Sequence, residues 1–235
     1  MPVTKIKILS IFPGIFSSFL NESLIKKAID SRKVEITTLD IRDFATLPHK
    51  KVDDEIYGGG VGMLLKPEPL IAAIEFAKKE LPDAKTILLS PSGNKFTQTL
   101  AKEFSQLKSL ILVCGRYEGV DQRVIDLMID QEISIGDYIL MGGEVPAMVI
   151  IEASLRHCHN ILGNPESIKQ ESFSLESSKP GYLEPPQYTR PPSFRGLEVP
   201  EVLISGNHKA IADWQEKEIL KKTEKQRPDL ILHKK

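Results

Sequence analysis

Apolar and polar positions in the first 160 residues follow two different periods in turn. Short runs rich in apolar and β-branched residues predict strands at 5–12, 34–39, 86–89, 110–114 and 132–135. Between them, apolar residues recur at helical spacing, which predicts helices at 16–31, 68–79, 97–107, 120–128 and 145–159. Strands that alternate with helices in this way are typical of a parallel sheet. We therefore predict an α/β fold with a parallel sheet for this part of the chain.

Two stretches of the same region break the pattern. Residues 90–93, Ser-Pro-Ser-Gly, predict a turn at the end of a strand, and residues 49–66 are dominated by glycine. The glycine-rich stretch lacks the Gly-Lys-Ser/Thr ending of a P-loop, and no predicted strand directly precedes it, so we exclude a nucleoside triphosphate site there. We interpret residues 49–66 as a mobile loop over a functional site.

The composition changes after about residue 160. Residues 162–192 contain Ser-rich and Pro-rich pieces without a sustained apolar period, as linkers do. Beyond them only 197–205 and 210–225 are organised, the second as a charged helix anchored by Trp214 and Ile219. We predict a domain at 1–160, a flexible linker at 161–180 and a small, mainly helical C-terminal domain at 181–235.

Bulk composition narrows the class of protein. The 235 residues are 41% hydrophobic and 27% charged, which is ordinary for a soluble globular protein. No apolar run approaches the ~20 residues that span a bilayer, and the N-terminus lacks the apolar core of a signal peptide. Cys114 and Cys158 make no disulfide framework, and the histidines show no metal-ligand spacing. We expect a cytoplasmic protein with no membrane partner and no structural metal.

Charge is distributed unevenly along the chain. The net charge of −1 counts against a simple nucleic-acid coat protein. Residues 111–152 carry two basic and eight acidic side chains, whereas residues 205–235 carry eight basic and five acidic ones. The acidic segment suits a cationic ligand and the basic segment suits phosphate, although ordinary solvated helix faces explain the basic segment equally well.

Two predicted strands end directly in glycine-containing turns. The strand at 110–114 is followed by Gly-Arg-Tyr-Glu-Gly, and the strand at 132–135 by Gly-Asp-Tyr-Ile-Leu-Met-Gly-Gly. Glycine permits positive φ and lets another molecule approach the backbone closely. Each turn could simply connect a strand to a helix. Two so close together, carrying Arg, Tyr, Glu and Asp, favour a binding cleft.

Motifs throughout the chain add to these turns. They are SIFP at 10–13, VDD at 52–54, YGGGVGM at 57–63, LSP at 89–91, CGRYEGVDQRV at 114–124, SIGDYIL at 134–140, GGEVPAM at 142–148, YTRP at 188–191 and VPEVLISGNH at 199–208. Together they closely resemble the bacterial tRNA (guanine-N1)-methyltransferases, the TrmD family. Because the matches are long and correctly spaced, the resemblance is far more specific than a single glycine pattern.

The resemblance implies transfer of a methyl group from S-adenosyl-L-methionine to N1 of guanosine at position 37 of tRNA, next to the anticodon. It also implies a SPOUT fold with a deep C-terminal trefoil knot that holds the donor. A third implication is an obligate homodimer that completes the site across its interface. By their match to the family's motifs, these residues are expected around the donor: Leu89, Ser90, Pro91, Gly115, Tyr117, Glu118, Gly119, Ile135, Gly136, Asp137, Tyr138, Ile139, Leu140, Gly142, Gly143 and Pro146.

For catalysis, the resemblance implies a general base and an assisting arginine. Arg156 occupies the arginine position, and Glu171 occupies the position where the family has aspartate. Glutamate can perform the same proton chemistry, but its extra methylene moves the carboxylate by roughly an ångström. The plainer alternatives are a solvated linker carboxylate for Glu171 and a helix ion pair with Glu152 for Arg156.

Five further residues are candidates for binding the tRNA. Asp53 and Asp54 could grip the amine and N1 edge of guanine or could simply cap their loop. Arg190 suits a phosphate contact, which gives affinity without base identity. Gly59 and His208 lie in matching motifs and complete the substrate-binding set.

Two rival functions remain open from the sequence. One is a related knotted methyltransferase with another RNA target, which the matching linker and C-terminal motifs argue against. The other is a catalytically silent RNA-binding protein of the same fold, and Glu171 is the one feature that favours it.

Overall fold

The computed structural model describes residues 4–46, 50–158, 161–174 and 176–232, without the side chains of residues 165, 166 and 232. The chain divides into two compact units, residues 1–163 (unit 1) and residues 164–235 (unit 2). Most of the predicted linker therefore belongs to unit 2, and its flexibility stays a prediction. Within the described residues, no helix has the length and apolar character needed to cross a membrane.

Unit 1 is built on a five-stranded sheet. The strands of this unit are β1 (Thr4–Ser10), β2 (Val34–Asp40), β3 (Asp53–Glu55), β4 (Met63–Leu65), β5 (Lys85–Lys95), β6 (Ser109–Cys114) and β7 (Gln131–Ser134). The sheet has the order β2-β1-β6-β5-β7, and every neighbouring pair in it is parallel. The predicted α/β fold with a parallel sheet is confirmed.

Helices cover both faces of this sheet. They are α1 (Ser17–Leu20), α2 (Ser23–Asp30), α3 (Pro67–Glu80), α4 (Gln98–Ser105), α5 (Gln122–Met128) and α6 (Glu144–Leu155), with 3-10 turns at Pro13–Phe16 and Ile41–Phe44. Leu112 of β6 faces one apolar core, and its neighbours Ile111 and Val113 face the other. Because β6 is buried on both faces, its sequence is an unbroken apolar run.

The prediction of one continuous helix at 16–31 is wrong. A 3-10 turn and two short helices replace it, with a break between α1 and α2. The side-chain amide of Asn21 donates to the carbonyl of Ser17 at 2.8 Å, and Ser23 has a φ of 54°. A residue with positive φ cannot continue a right-handed helix. At the other end of the unit, α6 stops at Leu155, and residue 159, the last of the predicted helix, lies outside the described part.

The glycine-rich stretch, which was predicted as a mobile loop at 49–66, contains a hairpin, and its mobility stays a prediction. Strands β3 and β4 pair antiparallel, and the turn between them includes Gly58 and Gly59, both with positive φ. The predicted start, His49, lies outside the described residues. Strands of three residues carry too little periodicity to be predicted from sequence.

Strand β5 is longer than the predicted strand at 86–89, and it contains an excursion. Leu89 and Asn94 both pair with Ile133 of β7, so residues 90–93 leave the ladder between them. The predicted turn at 90–93 is therefore an excursion within the strand. A Cβ on Gly93 would collide with the backbone of Ile133, which explains glycine at its end.

Unit 2 is described separately. It contains a 3-10 turn at Pro165–Lys169, the hairpin strands β8 (Ser193–Phe194) and β9 (Leu197–Glu198), and helices α7 (Glu201–Ile204), α8 (His208–Gln226) and α9 (Asp229–Leu232). The predicted helix at 210–225 is confirmed as the main part of α8, whose N-cap is the side chain of Asn207.

Candidate active site

A cavity of about 440 Å³ lies at the carboxyl ends of β5, β6 and β7. Open parallel sheets bind their ligands at this edge. The walls come from the excursion at 90–92, from loop 115–119 after β6, and from loop 135–143 between β7 and α6. The volume falls within the range of small-molecule sites. The topology thus places the cavity where the two glycine turns of the sequence meet.

Loops 115–119 and 135–143 contact each other directly. Arg116 and Gly142 form an antiparallel bridge, and the N–H of Gly143 donates to the carbonyl of Gly115 at 2.8 Å. A Cβ on Gly143 would lie 2.7 Å from Cα of Cys114 and 3.0 Å from the nitrogen of Gly115. No side chain fits at that distance from backbone, so the contact between the loops requires glycine at position 143.

Loop 115–119 has a strained backbone. Tyr117 has a φ of 58° and Gly119 a φ of 118°. The left-handed conformation costs a non-glycine residue about 1–2 kcal/mol and is found preferentially at functional sites. Tyr117 lines the cavity, so the strained residue is one that a bound ligand would meet.

A buried carboxylate joins the cavity wall to the core. Glu144, at the start of α6, is only 1% exposed. Its carboxylate accepts hydrogen bonds from the hydroxyl of Ser10 at 2.7 Å and from Nε of Arg116 at 2.8 Å. The guanidinium of Arg116 also donates to the carbonyl of Met141 at 3.3 Å and lies 4.7 Å from the ring centroid of Phe12. This network ties both cavity loops to the end of β1.

The sequence does not predict the pairing of Glu144 with Arg116. Both stand inside the two glycine-containing motifs, but a glutamate in the first turn of a helix is usually an exposed residue that interacts with the helix dipole. The one available signal was that Glu144 opens a helix that is otherwise almost entirely apolar.

The β3–β4 hairpin is fixed against loop 115–119. The N–H of Glu118 donates to the carbonyl of Met63 at 3.0 Å, and the N–H of Leu65 donates to the carbonyl of Gly119 at 3.0 Å. A Cβ on Gly62 would lie 2.7 Å from Cγ of Glu118. The hairpin therefore begins its return strand directly beside a cavity-lining carboxylate.

The structure places fifteen of the sixteen expected donor residues around this one cavity. The exception is Asp137, whose side chain is 86% exposed and lies 2.9 Å from the ammonium of Lys95. Its neighbour Tyr138 does line the cavity and donates a long hydrogen bond to the carbonyl of Ile135 at 3.4 Å. The assignment of these residues to a donor stays a prediction.

The remaining candidates of unit 1 lie outside the cavity wall. Asp53 and Asp54 are on β3, and Gly59 is exposed in the hairpin turn. A hydrogen bond from Lys51, 2.9 Å away, lowers the pKa of Asp54. Arg156 is exposed and caps the end of α6, where its N–H donates to the carbonyl of Glu152 at 3.3 Å.

Three candidates belong to unit 2. Glu171 is partly buried, and Arg190 and His208 are exposed, the latter at the start of α8. Their roles in binding or catalysis stay predictions.

Two titratable groups near the cavity have shifted pKa values. Complete burial raises the pKa of the Cys114 thiol well above its usual value, and the charge of Glu144 adds to this effect. The Cys114 side chain is therefore a neutral thiol that packs in the core. Hydrogen bonds from Arg123 lower the pKa of Asp121, which caps α5 directly after loop 115–119.

Comparison with known proteins finds one family, which matches nearly the whole chain. The family model described as tRNA (guanine-1)-methyltransferase TrmD matches residues 4–233. A tRNA (guanine-N(1)-)-methyltransferase of Geobacillus kaustophilus is 49% identical over 227 residues, which are 97% of this chain and 91% of the relative. The enzyme of the same name from Dictyoglomus turgidum is 51% identical over 227 residues, 97% of this chain and 89% of the relative.

A solved structure is also similar. The crystal structure of tRNA (m1G37) methyltransferase from Aquifex aeolicus superimposes with a TM-score of 0.78 at 38% sequence identity. The match covers 98% of this chain and 96% of the Aquifex chain.

Proposed function

The chain belongs to the TrmD family of tRNA (guanine-1)-methyltransferases, and on that premise we propose how its residues carry out the reaction. The protein is a tRNA (guanine-N1)-methyltransferase. We assign S-adenosyl-L-methionine as its methyl donor and guanosine 37 of tRNA as its target, the position that names the Aquifex enzyme. A cytoplasmic location follows from the tRNA substrate.

The cavity in unit 1 is the proposed donor site, and this is the observation that carries the proposal. Five glycines line it, and glycine lets a ligand approach the backbone closely, which suits the reading of adenine and ribose by N–H and C=O groups. Tyr117 and Tyr138 provide flat surfaces, and Glu118 provides a carboxylate. The bound donor would supply an electrophilic methyl group on a cationic sulfur, and a nearby negative charge such as Glu118 stabilises that cation.

The protein's chemical task is to prepare the nucleophile. Guanine N1 carries a proton and attacks poorly until the proton leaves. We propose that the carboxylate of Glu171 accepts this proton. Negative charge then builds on O6, where the guanidinium of Arg156 would stabilise it. Positioning of the two substrates supplies much of the remaining acceleration.

Recognition of the tRNA is divided between the two units. We propose that Asp53, Asp54 and Gly59 of the hairpin contact the target guanine, since the hairpin is hydrogen-bonded to the loop that carries Glu118. Arg190 and His208 of unit 2 would contact the tRNA, with Arg190 suited to phosphate. A guanine flipped into a pocket would be identified by its edge.

Two larger features belong to the same proposal. We propose a deep trefoil knot because loops 115–119 and 135–143 meet beside the excursion at 90–93. Support for the homodimer comes from α6, which is mostly apolar and leaves Val145 and Val149 54% and 40% exposed. Exposed apolar side chains that lie together on one helix are typical of an interaction surface, so a second copy of the chain is the proposed cover.

Transfer of a labelled methyl group to tRNA transcripts tests the function. We expect incorporation into a transcript with guanine at positions 36 and 37, and none when position 37 is adenine. Nuclease digestion should give N1-methylguanosine from position 37. Label in another nucleotide, or equal label in both transcripts, would contradict the proposal.

Variants of Glu171 separate an enzyme from a silent RNA-binding protein. An enzyme that uses this carboxylate loses rate as Glu171→Gln by about a hundredfold or more and retains rate as Glu171→Asp. A silent protein shows no turnover in any of the three forms.

A further inference from the structure

Unit 2 contains the segment 171–184, which begins at Glu171 and which we call the base loop. Apart from residue 175, which is not described, its residues form neither helix nor strand. A segment without regular structure must satisfy its backbone groups in another way. The base loop does so through bonds within itself and bonds to α8.

The two halves of the base loop are hydrogen-bonded to each other. The N–H of Phe173 donates to the carbonyl of Tyr182 at 2.9 Å, and the N–H of Gly181 donates to the carbonyl of Ser174 at 2.8 Å. The N–H of Ser174 also donates to the carbonyl of Glu171 at 3.2 Å. These bonds fix the backbone of Glu171 relative to the far half of the loop.

A buried threonine of α8 holds that far half. Thr223 is 0% exposed, and its hydroxyl donates to the carbonyl of Ile219 at 2.7 Å. The same oxygen accepts the N–H of Leu183 at 3.2 Å. A side chain of the same shape without the hydroxyl would leave the N–H of the partly buried Leu183 without its acceptor, which weakens the attachment of the loop to α8.

Two neighbouring cations support this anchor. The ammonium of Lys222 donates to the carbonyl of Glu184 at 3.0 Å. The guanidinium of Arg227 lies 5.7 Å from the ring centroid of Phe173, within the range of a cation–π contact. The end of α8 therefore contacts both halves of the base loop.

We propose that Thr223 is a positioning residue for methyl transfer: its hydroxyl holds the base loop on α8 and so determines where the carboxylate of Glu171 can reach. This inference rests on the proposed role of Glu171 as the base. A glutamate has one more rotatable bond than the family's aspartate, so its carboxylate samples a larger volume. Fixing the backbone of Glu171 limits that volume. It therefore lowers the conformational entropy that is lost each time the carboxylate is positioned for the reaction.

Single-turnover methyl transfer at saturating enzyme and donor tests the role of Thr223. We expect Thr223→Val to lower the rate about tenfold or more, because a misplacement of about 1 Å is enough for such a loss. The hydroxyl of Thr223→Ser should restore the rate to within about threefold of wild type. The matched control is Thr99→Val, an exposed threonine of α4, and should react like wild type.

A double-mutant cycle with Glu171→Gln shows whether the effect passes through the base. If Thr223 acts by placing Glu171, Thr223→Val changes the rate by less than about twofold in the Glu171→Gln background. Equal losses in both backgrounds, or failure of Thr223→Ser to restore the rate, would overturn the inference. A wild-type rate for Glu171→Gln would instead contradict the proposed base itself, so the two failures are distinguishable.

Two measurements separate positioning from simple damage to the fold. Amide hydrogen exchange at Leu183 should accelerate in Thr223→Val, while the affinity for S-adenosyl-L-methionine, measured by calorimetry, stays at the wild-type value. If Thr223→Val does not fold, Lys222→Met takes its place in the same cycle, because it removes the bond to the carbonyl of Glu184. A Lys222→Met rate equal to wild type, with unchanged exchange at Leu183, would count against the anchor.

Discussion

The sequence predicts the location of most cavity residues, but not the role of every one. The residues expected around the donor stand in contiguous motifs, and most of them meet at one cavity because their loops leave the same edge of the sheet. Asp137 stands in the same motif, yet its carboxylate pairs with Lys95 outside the cavity wall. The role of Glu144 could not be predicted, because its partner Ser10 is brought to it only by the folded sheet.

Glu144 provides a prediction about stability. Its carboxylate is buried and pairs with Arg116, whose side chain is 18% exposed. Removing one partner of a buried pair leaves the other uncompensated, so Glu144→Ala should lower the free energy of unfolding by about 3 kcal/mol. Urea denaturation measures this loss. Asp30→Ala breaks the exposed pair with Lys26 and should cost about 0.5 kcal/mol or less. Equal losses for the two variants would show that Glu144 has no special role.

Elements with a long, regular period were predictable, and those that depend on tertiary hydrogen bonds were not. Strand β6 and helix α3 are found close to their predicted positions because each carries its own apolar pattern. The β3–β4 hairpin has no such pattern, and it is held by bonds to loop 115–119. The excursion at 90–93 likewise depends on Ile133 of a strand distant in sequence.

The N-cap of α5 gives a prediction about pH. The carboxylate of Asp121 accepts the N–H of Arg123 at 2.9 Å and a guanidinium N–H at 2.7 Å, and these bonds lower its pKa in the folded protein. The stabilisation is therefore present above the unfolded pKa, near 3.9, and is lost as pH falls through the lower folded pKa. Asp121→Asn should cost about 0.5–1 kcal/mol at neutral pH, and this difference should shrink below about pH 4.

Unfolding of the Asp121→Asn variant across pH 2–7 checks this prediction. The control is Thr97→Ala, which removes the neutral cap of α4, where the hydroxyl accepts the N–H of Leu100 at 3.3 Å. Its cost should not vary with pH in this way. An Asp121→Asn difference that is constant down to the lowest pH would mean that the charge contributes nothing.

At the scale of the whole molecule, α6 is the element on which the proposed dimer rests. Its inner side packs in the core through Ala147, Ile150 and Ile151, while Val145 and Val149 remain exposed one helical turn apart. The sequence showed an apolar helix but could not distinguish burial within one chain from burial between two.

Val149→Asp tests the proposed dimer. Because Val149 is exposed in the single chain, the variant should still fold, but it should sediment as a monomer and melt at a lower temperature than wild type, since the interface no longer stabilises it. A charge buried at an interface without a partner costs several kcal/mol, enough to dissociate most dimers. Val149→Ala should remain dimeric. A dimeric Val149→Asp would place the interface elsewhere, and a monomeric wild type would remove the dimer altogether.

Binding of S-adenosyl-L-methionine to the Gly143→Ala variant tests the central claim, that the two glycine loops form the donor site. A Cβ at this position would lie 2.7 Å from Cα of Cys114, so the loops must separate, whereas a Cβ on Gly163 meets no atom within 4 Å. Calorimetry should show one site per chain in wild type and Gly163→Ala, and at least about tenfold weaker binding in a folded Gly143→Ala. A folded Gly143→Ala that binds the donor as tightly as wild type would contradict the account.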